Sequence, residues 1–310
     1  MDYLVTGGAG FIGSNIVRQL VGEGKEVRIL DNLATGRRVN IEDLLGDVDF
    51  IEGDLRDEAT AKRAVAGVRN VLHLGALPSV IRSVNDPIGA NETNIDGTLN
   101  MLVAARDAGV KRFVFSSSSS VYGNTPTLPK REDMTPMPLS PYAVQKLTGE
   151  HYCRVFHRLY GLQTVCLRYF NVFGPRQDPS SQYSAVIPLF VGALRNDEPP
   201  TIHGDGGQTR DFTFVGDVVK ANICACTAPD DAAGGVFNVA YEDRTSINDL
   251  FNILARLLGK DIKPHHVDPR PGDVRDSQGD PTAARTVLRW EAETTVEEGL
   301  KRTVDFYLES

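Results

Sequence analysis

No stretch of the 310-residue chain approaches ~20 uninterrupted apolar residues, so no membrane span is expected. Cysteine is scarce, with only Cys153, Cys166, Cys224 and Cys226. The last two are spaced C-x-C without a second pair at metal-ligand spacing, and the six histidines form no H-E-x-x-H pattern. Metal binding is therefore not expected, and the thiols read as buried or idle. Basic residues are in the minority, 33 Lys and Arg against 41 Asp and Glu, for a net charge of −8. That balance carries no nucleic-acid footprint, although it leaves room for a local basic pocket that takes a phosphate. A basic-then-apolar leader is missing as well. The chain runs directly into a strand-like Tyr3-Leu4-Val5, which makes the cytoplasm the expected address.

What is present is a regular alternation. Short apolar runs at 2–6, 26–30, 47–51, 70–74, 111–116 and 163–168 read as strands. Helical patterns at 11–22, 57–66, 87–108 and 141–160 lie between them. Strands alternating with helices of this length predict an α/β fold with a parallel sheet and crossovers. After Arg168, Pro and Gly punctuate the chain from Gly174-Pro175 to Gly207, and helical patterns return at 215–227, 246–258 and 293–308. Residues 1–168 thus read as a Rossmann-type domain, with later segments returning to it, and 169–310 mainly as a smaller substrate-binding lobe.

Gly7-Gly8-Ala9-Gly10-Phe11-Ile12-Gly13 follows the first strand and opens the first helix. Gly7 allows the tight turn, Gly10 lets backbone approach a pyrophosphate, and Gly13 lets helix and sheet pack closely. The helix N-terminus would hold the pyrophosphate with its outward N–H groups. Asp31 closes the second strand, where a carboxylate accepts from both ribose hydroxyls of NAD and repels a 2′-phosphate. Arg37 and Arg38, a few residues on, keep NADP as an alternative. Asp54 is suitably placed to meet the adenine or, in a blander role, to cap the helix beginning near Asp57.

Tyr142 and Lys146 stand one helical turn apart, in a helix that Ser140 can cap and Pro141 can begin. A free tyrosine has a pKa near ~10 and is a poor base at neutral pH. A nearby ammonium and the positive nicotinamide of NAD⁺ both favour its phenolate. Ser118 lies just past a strand end, where α/β folds bind ligands. Together the three can hold and deprotonate a secondary alcohol whose C–H gives hydride to NAD⁺.

These segments resemble the extended short-chain dehydrogenase/reductase family, and within it the UDP-hexose 4-epimerases, closest to the subgroup acting on UDP-N-acetylglucosamine. The resemblance spans essentially the whole chain. Beyond the motifs already named, it is carried by Ser116 to Gly123, Leu167 to Val172, Gly204-Asp205-Gly206, Arg210-Asp211-Phe212 and Arg270 to Arg275. It implies NAD as cofactor, a UDP-sugar as substrate and a homodimer built from the 87–108 and 141–160 helices. It assigns proton transfer from the sugar 4-hydroxyl to Tyr142, a hydrogen bond to that oxygen to Ser118, and to Lys146 the ribose of NAD and the tuning of Tyr142, so that Tyr142 and Lys146 also count as cofactor positions. Phe11, Ile12, Asn32, Thr35, Gly36, Leu55, Leu74, Ala76, Asn94 and Tyr169 match further cofactor positions. Asn171, Arg210 and Arg270 match positions that hold the diphosphate; two separated guanidiniums suit it because each forks onto phosphate oxygens. Asp273 matches a ribose-binding acid, and Ile187, Thr201 and His203 fall where the uridine sits. Ser79, Arg82, Ser118, Ser119, Ser120 and Gln177 match further substrate positions.

Three features bear on the sugar. Dehydratases resembling this chain carry an Asp-Glu pair where Ser119 and Ser120 stand, and neutral hydroxyls cannot serve as that acid and base. Asp178, after Arg176-Gln177, would repel a uronate carboxylate, although Arg176 or Arg82 could reach one. Ser277 matches a position that is a bulky tyrosine in epimerases restricted to unacetylated sugars, so a serine leaves room for an N-acetyl group. The expectation is 4-epimerisation of UDP-N-acetylglucosamine and UDP-N-acetylgalactosamine, with UDP-glucose and UDP-glucuronate as alternatives. From a different class, a non-catalytic NAD-sensing relative is the other reading; such proteins usually lose the Tyr or the Lys, and both are here.

Overall fold

A computed structural model describes residues 1–178, 186–269 and 274–309. Seven parallel strands form the central sheet. Six are β1 (Tyr3–Thr6), β2 (Val27–Asp31), β3 (Val48–Glu52), β4 (Asn70–His73), β5 (Arg112–Ser118) and β6 (Gln163–Tyr169). The seventh, Val236–Val239, comes from far down the chain and pairs with β6 at one edge. From that edge the order continues β6, β5, β4, β1, β2, β3. The order reverses between β4 and β1, which opens a crevice beyond their C-terminal ends.

Helices cover both faces. On one, α1 (Phe11–Gly22) lies beside α8 (Val215–Thr227), and their apolar sides share a core with Val5, Val114 and Val165. On the other, α2 (Glu58–Val65), α5 (Gly97–Asp107) and α6 (Pro141–Tyr160) close over Leu4, Val71 and Phe113. The 87–108 segment is not one regular helix. A short α3 (Val80–Asn85) precedes it, and α4 (Pro87–Asn91) runs into α5 through a π-helical turn at Glu92–Asp96. Such turns often mark functional positions. A separate core of Phe173, Phe190, Phe212 and Phe251 holds α7 (Val186–Arg195), α9 (Ile247–Leu257) and α10 (Val296–Glu309) together. Among the described residues this second lobe has no large sheet, and its strands are two or three residues long and paired in twos. No helix among the described residues is long and apolar enough to cross a membrane.

Candidate active site

The crevice beyond β1 and β4 is a cavity of about 780 Å³. Its floor is the glycine turn. Gly7 takes φ +69°, and a Cβ on Gly13 would stand 2.1 Å from the Gly7 carbonyl oxygen, so only glycine lets α1 start this close to β1. Phe11 and Ile12 complete this wall.

Asp31 lies at the end of β2, only 7% exposed, and lines the cavity. It accepts N–H groups from Ala9 (3.0 Å) and Leu33 (2.8 Å), which fix the carboxylate; burial pushes it up, and these two bonds oppose that push only in part. Gly36 leaves room for it, since a Cβ there would meet both carboxylate oxygens at 2.8 Å. Asn32, Thr35, Asp54, Leu55, Leu74 and Ala76 line the same space. The Asp54 carboxylate pairs with Arg56 at 2.8 Å and accepts from Asn32 at 2.9 Å, and the Arg56 contact holds it down at about 2. The helix cap belongs to Asp57, which accepts from the N–H groups of Ala59 and Thr60.

Asn94 stands behind the wall rather than in it. Its amide oxygen accepts from Leu77 N–H at 2.7 Å, and its nitrogen donates to Leu77 O and to Gln145 Oε1. Buried in the π-helical turn, it ties the loop after β4 to α6.

Tyr142, Lys146 and Tyr169 line the end of the cavity nearest β5 and β6. Lys146 is 5% exposed; its ammonium donates to Ser116 O at 2.7 Å and lies 5.8 Å from the Tyr142 ring centre. Burial pushes it down to about 8. Burial pushes Tyr142 up to about 12, opposed by a hydrogen bond with Ser118. Lys146 alone therefore does not make a phenolate here; a further positive charge must enter the site, and a bound nicotinamide ring carries one. Tyr169 exchanges a hydrogen bond with Ser116 at 3.0 Å and donates to Asn222 at 2.9 Å. Ser118 also accepts Ser120 N–H at 3.2 Å, which caps a 3₁₀ turn at Ser119–Tyr122. The Ser120 hydroxyl is buried without a hydrogen-bond partner.

A second cavity of about 250 Å³ lies in the other lobe, with Gln177 on the wall of both. Asn171, Ile187, Thr201, His203 and Arg210 line it, and Gln208, Phe190 and Phe212, which sequence reasoning passed over, do too. Arg210 donates to the carbonyls of Thr209 and Arg275 at 2.9 and 3.3 Å. Asn171 donates to Asp211 O at 3.2 Å. The Asp211 carboxylate gathers N–H groups from Tyr241, Glu242 and Gly279, and burial still pushes it up to about 7. Ser79 and Arg82 line the first cavity instead. Ser277 lines neither; its N–H donates to Thr209 O at 3.2 Å, beside Arg210. Arg270 and Asp273 lie outside the described residues, as do Tyr183, Ser184 and Ala185. Among the described residues, no three His, Cys, Asp or Glu come together as a metal site.

Sequence reasoning also missed the support behind the catalytic strand. Glu150, one turn beyond Lys146, is bound by Arg168 at 2.7 and 2.9 Å and accepts from Ser117, and both ion-pair partners are 4% exposed. Arg168 sits over the Tyr122 ring, whose hydroxyl donates to Asn238. The one signal available was the i, i+4 spacing of Glu150 from Lys146.

The profile of the NAD dependent epimerase/dehydratase family matches residues 3–240. A UDP-glucose 4-epimerase of Mycolicibacterium smegmatis is 40% identical over 312 residues, covering 99% of this chain and 98% of its own. The structure of a UDP-N-acetylglucosamine 4-epimerase from Methanobrevibacter ruminantium, in complex with UDP-N-acetylmuramic acid, superposes with a TM-score of 0.95 at 42% identity, over 99% of this chain and 98% of that one. A UDP-glucose 4-epimerase of Thermus thermophilus in complex with NAD gives 0.91 at 38% identity, over the whole of both chains.

Proposed function

The chain belongs to the NAD dependent epimerase/dehydratase family and uses NAD, and from that premise we propose that it inverts C4 of a UDP-hexose, with the N-acetylglucosamine/N-acetylgalactosamine pair preferred. One observation carries the reading. Tyr142 and Lys146 stand at the end of a cavity with a glycine floor and an anchored carboxylate, Ser118 lies behind the phenol rather than in the wall, and this cavity shares Gln177 with a second one bearing an arginine.

NAD, when bound, accepts a hydride from the sugar and gives it back. Tyr142 takes the proton of the 4-hydroxyl as that hydride leaves C4, and returns it when the hydride comes back to the other face. Ser118, whose hydroxyl favours the phenolate, holds the same oxygen. Lys146, fixed on Ser116 O, keeps a positive charge near the phenolate as it forms. Asp31 accepts from the ribose hydroxyls, and its charge disfavours a 2′-phosphate. Asn171 and Arg210, with Arg270, hold the diphosphate, while the second cavity takes the uridine. Held there, the keto sugar can turn about its phosphate linkage and present its other face.

The N-acetyl preference is supported by the match of Ser277 to a position that is a bulky tyrosine in epimerases restricted to unacetylated sugars, and by the likeness to the Methanobrevibacter enzyme. UDP-glucuronate is the second reading, favoured by Arg82 in the cavity wall. We also propose a homodimer through α4, α5 and α6, where Ile88 and Leu159 are 73% and 70% exposed. Incubating the enzyme separately with UDP-N-acetylglucosamine, UDP-glucose and UDP-glucuronate, with products identified by NMR, tests the reading. The C4 epimer should form fastest from the N-acetylated sugar; turnover of UDP-glucuronate alone would overturn it.

A further inference from the structure

The first turn of α6 sets where Tyr142 stands, and the acceptors that its backbone donors find hold that turn in place. Pro141 occupies the first helical position and has no N–H to satisfy. Ala143 N–H is accepted by the cap, Ser140 Oγ, at 3.2 Å, and Val144 N–H by Ser140 O at 3.0 Å. The remaining donor is the N–H of Tyr142 itself. Its acceptor comes from another element: Ser83 Oγ on α3, at 3.0 Å. Ser83 is fully buried, and its own hydroxyl proton goes to Val80 O at 2.7 Å. The acceptor lone pair is thereby aimed at Tyr142 with no competing rotamer in use.

The same short helix builds the wall of the first cavity. Ser79, its cap, lines the cavity and accepts Arg82 N–H at 3.3 Å, and Arg82 lines the cavity as well. Ser79 holds φ at +119°, a conformation an L-residue keeps only when its surroundings impose it. A strained wall and the base of the catalytic tyrosine are thus joined through one buried hydroxyl. Packing between α3 and α6 makes the connection stiff.

We propose that Ser83 is a positioning residue for proton transfer: it fixes Tyr142 relative to the sugar-facing wall of the cavity. It touches neither cofactor nor substrate and acts through the Tyr142 backbone. This rests on the reading of Tyr142 as the acid and base. Without Ser83 Oγ the half-buried tyrosine N–H loses its acceptor, and the first turn of α6 shifts to find another. Tyr142 then loses its register against the C4 oxygen and its place near the positive charges that favour phenolate. The titratable groups facing it are Lys146 on its own helix and Tyr169 from β6.

Ser83→Ala, Ser83→Thr and Ser140→Ala separate this role from plain capping. In NAD-loaded Ser83→Ala, kcat should fall roughly ten- to a hundred-fold, as expected for a small misplacement of a reacting group. KM and NAD content should stay near wild type. Ser83→Thr, which keeps the hydroxyl, should recover most of kcat. Ser140→Ala, which removes a cap from the same turn without cutting the tie to α3, should lower Tm and leave kcat nearly intact. A second readout needs no turnover: the phenolate absorbance difference between each NAD-loaded protein and its Tyr142→Phe counterpart, followed with pH. It should show Tyr142 ionising at higher pH in Ser83→Ala and not in Ser140→Ala. Unchanged kcat in Ser83→Ala, or equal losses in Ser83→Ala and Ser140→Ala, would overturn the proposal. If wild type turned over no UDP-sugar, the reading of the function would fail instead, and the phenolate titration would still decide on Ser83.

Discussion

The two cavities are made by opposite means. The larger is built on the ends of parallel strands, so its residues sit in short runs directly after β1, β2 and β4 and at the start of α6. The smaller is assembled from pairs of two- and three-residue strands and from loops far apart in sequence: Thr201 pairs with His265, and Thr209 with Ser246. A strand end aims its side chains whatever the rest of the chain does. A loop aims them only through distant partners, as Asp211 does by collecting N–H groups from Tyr241, Glu242 and Gly279. On the proposed reading, proton and hydride transfer belong to the first kind of site, and the uridine to the second, where sequence change disturbs the frame least.

The largest expected effect tests the first region. Tyr142→Phe should lose ~10²–10⁴ of kcat, as removal of a positioned acid/base does. NAD content should be unchanged, because the phenol forms none of the cavity floor. A variant with near-normal kcat would move proton transfer to another group and would detach the chemistry from the strand ends.

A smaller effect sharpens the contrast in rigidity. His73, at the end of β4, is 1% exposed and bonded to Thr6 at 2.8 Å and Thr98 at 3.0 Å. Thr6 in turn accepts Gly75 N–H, so this imidazole ties the glycine-turn strand to the loop behind the cofactor site. Burial, and then the charge of Lys146, push it down from 6.5 to about 3. Its neutral form is the folded one, so the unfolded chain takes up the proton first as pH falls. The stability is intact above pH 6.5 and is lost as the pH falls toward 3. The loss is ~1.4 kcal/mol per pH unit from this one group. Denaturant titrations of wild type and His73→Gln should show a shallower acid slope in the variant. Identical slopes would show that His73 is not what makes the frame acid-sensitive.

The smallest effect concerns the second region. Ser277→Tyr should cost the N-acetylated pair ~1–3 kcal/mol of kcat/KM and the unacetylated pair much less. Ser277 stands beside the Arg210 loop rather than in the wall of the smaller cavity. Equal losses on both pairs would place the C2 substituent elsewhere.

The same contrast governs how much was legible in the sequence. The glycine turn, Asp31 and the Tyr142–Lys146 spacing are local signals, and the structure places all of them around one cavity. The first six strands were read to within a residue or two, because period and punctuation are local as well. The seventh was not read as a strand: Val236–Val239 is short and pairs only with β6, some 70 residues earlier. The break in the 87–108 helix was hidden because the π-helical turn spans only the five residues Glu92–Asp96, too few for its shift of phase to stand out from the helical pattern around it. Asn94 carried no sign that its amide would be spent on Leu77 and Gln145. Ser83 fell in no element read from the sequence, since α3 (Val80–Asn85) was not expected, and its role exists only once α3 and α6 are packed together.

The central claim is that hydride leaves C4 and returns to C4 within one closed site. The direct test is turnover of UDP-N-acetylglucosamine carrying deuterium at C4, followed by NMR. The product should carry the label at C4 with its hydroxyl inverted, and nothing should be taken up from solvent water at C4 or C5. Loss of the label to water, or deuterium at C5 when the reaction is run in heavy water, would contradict the account.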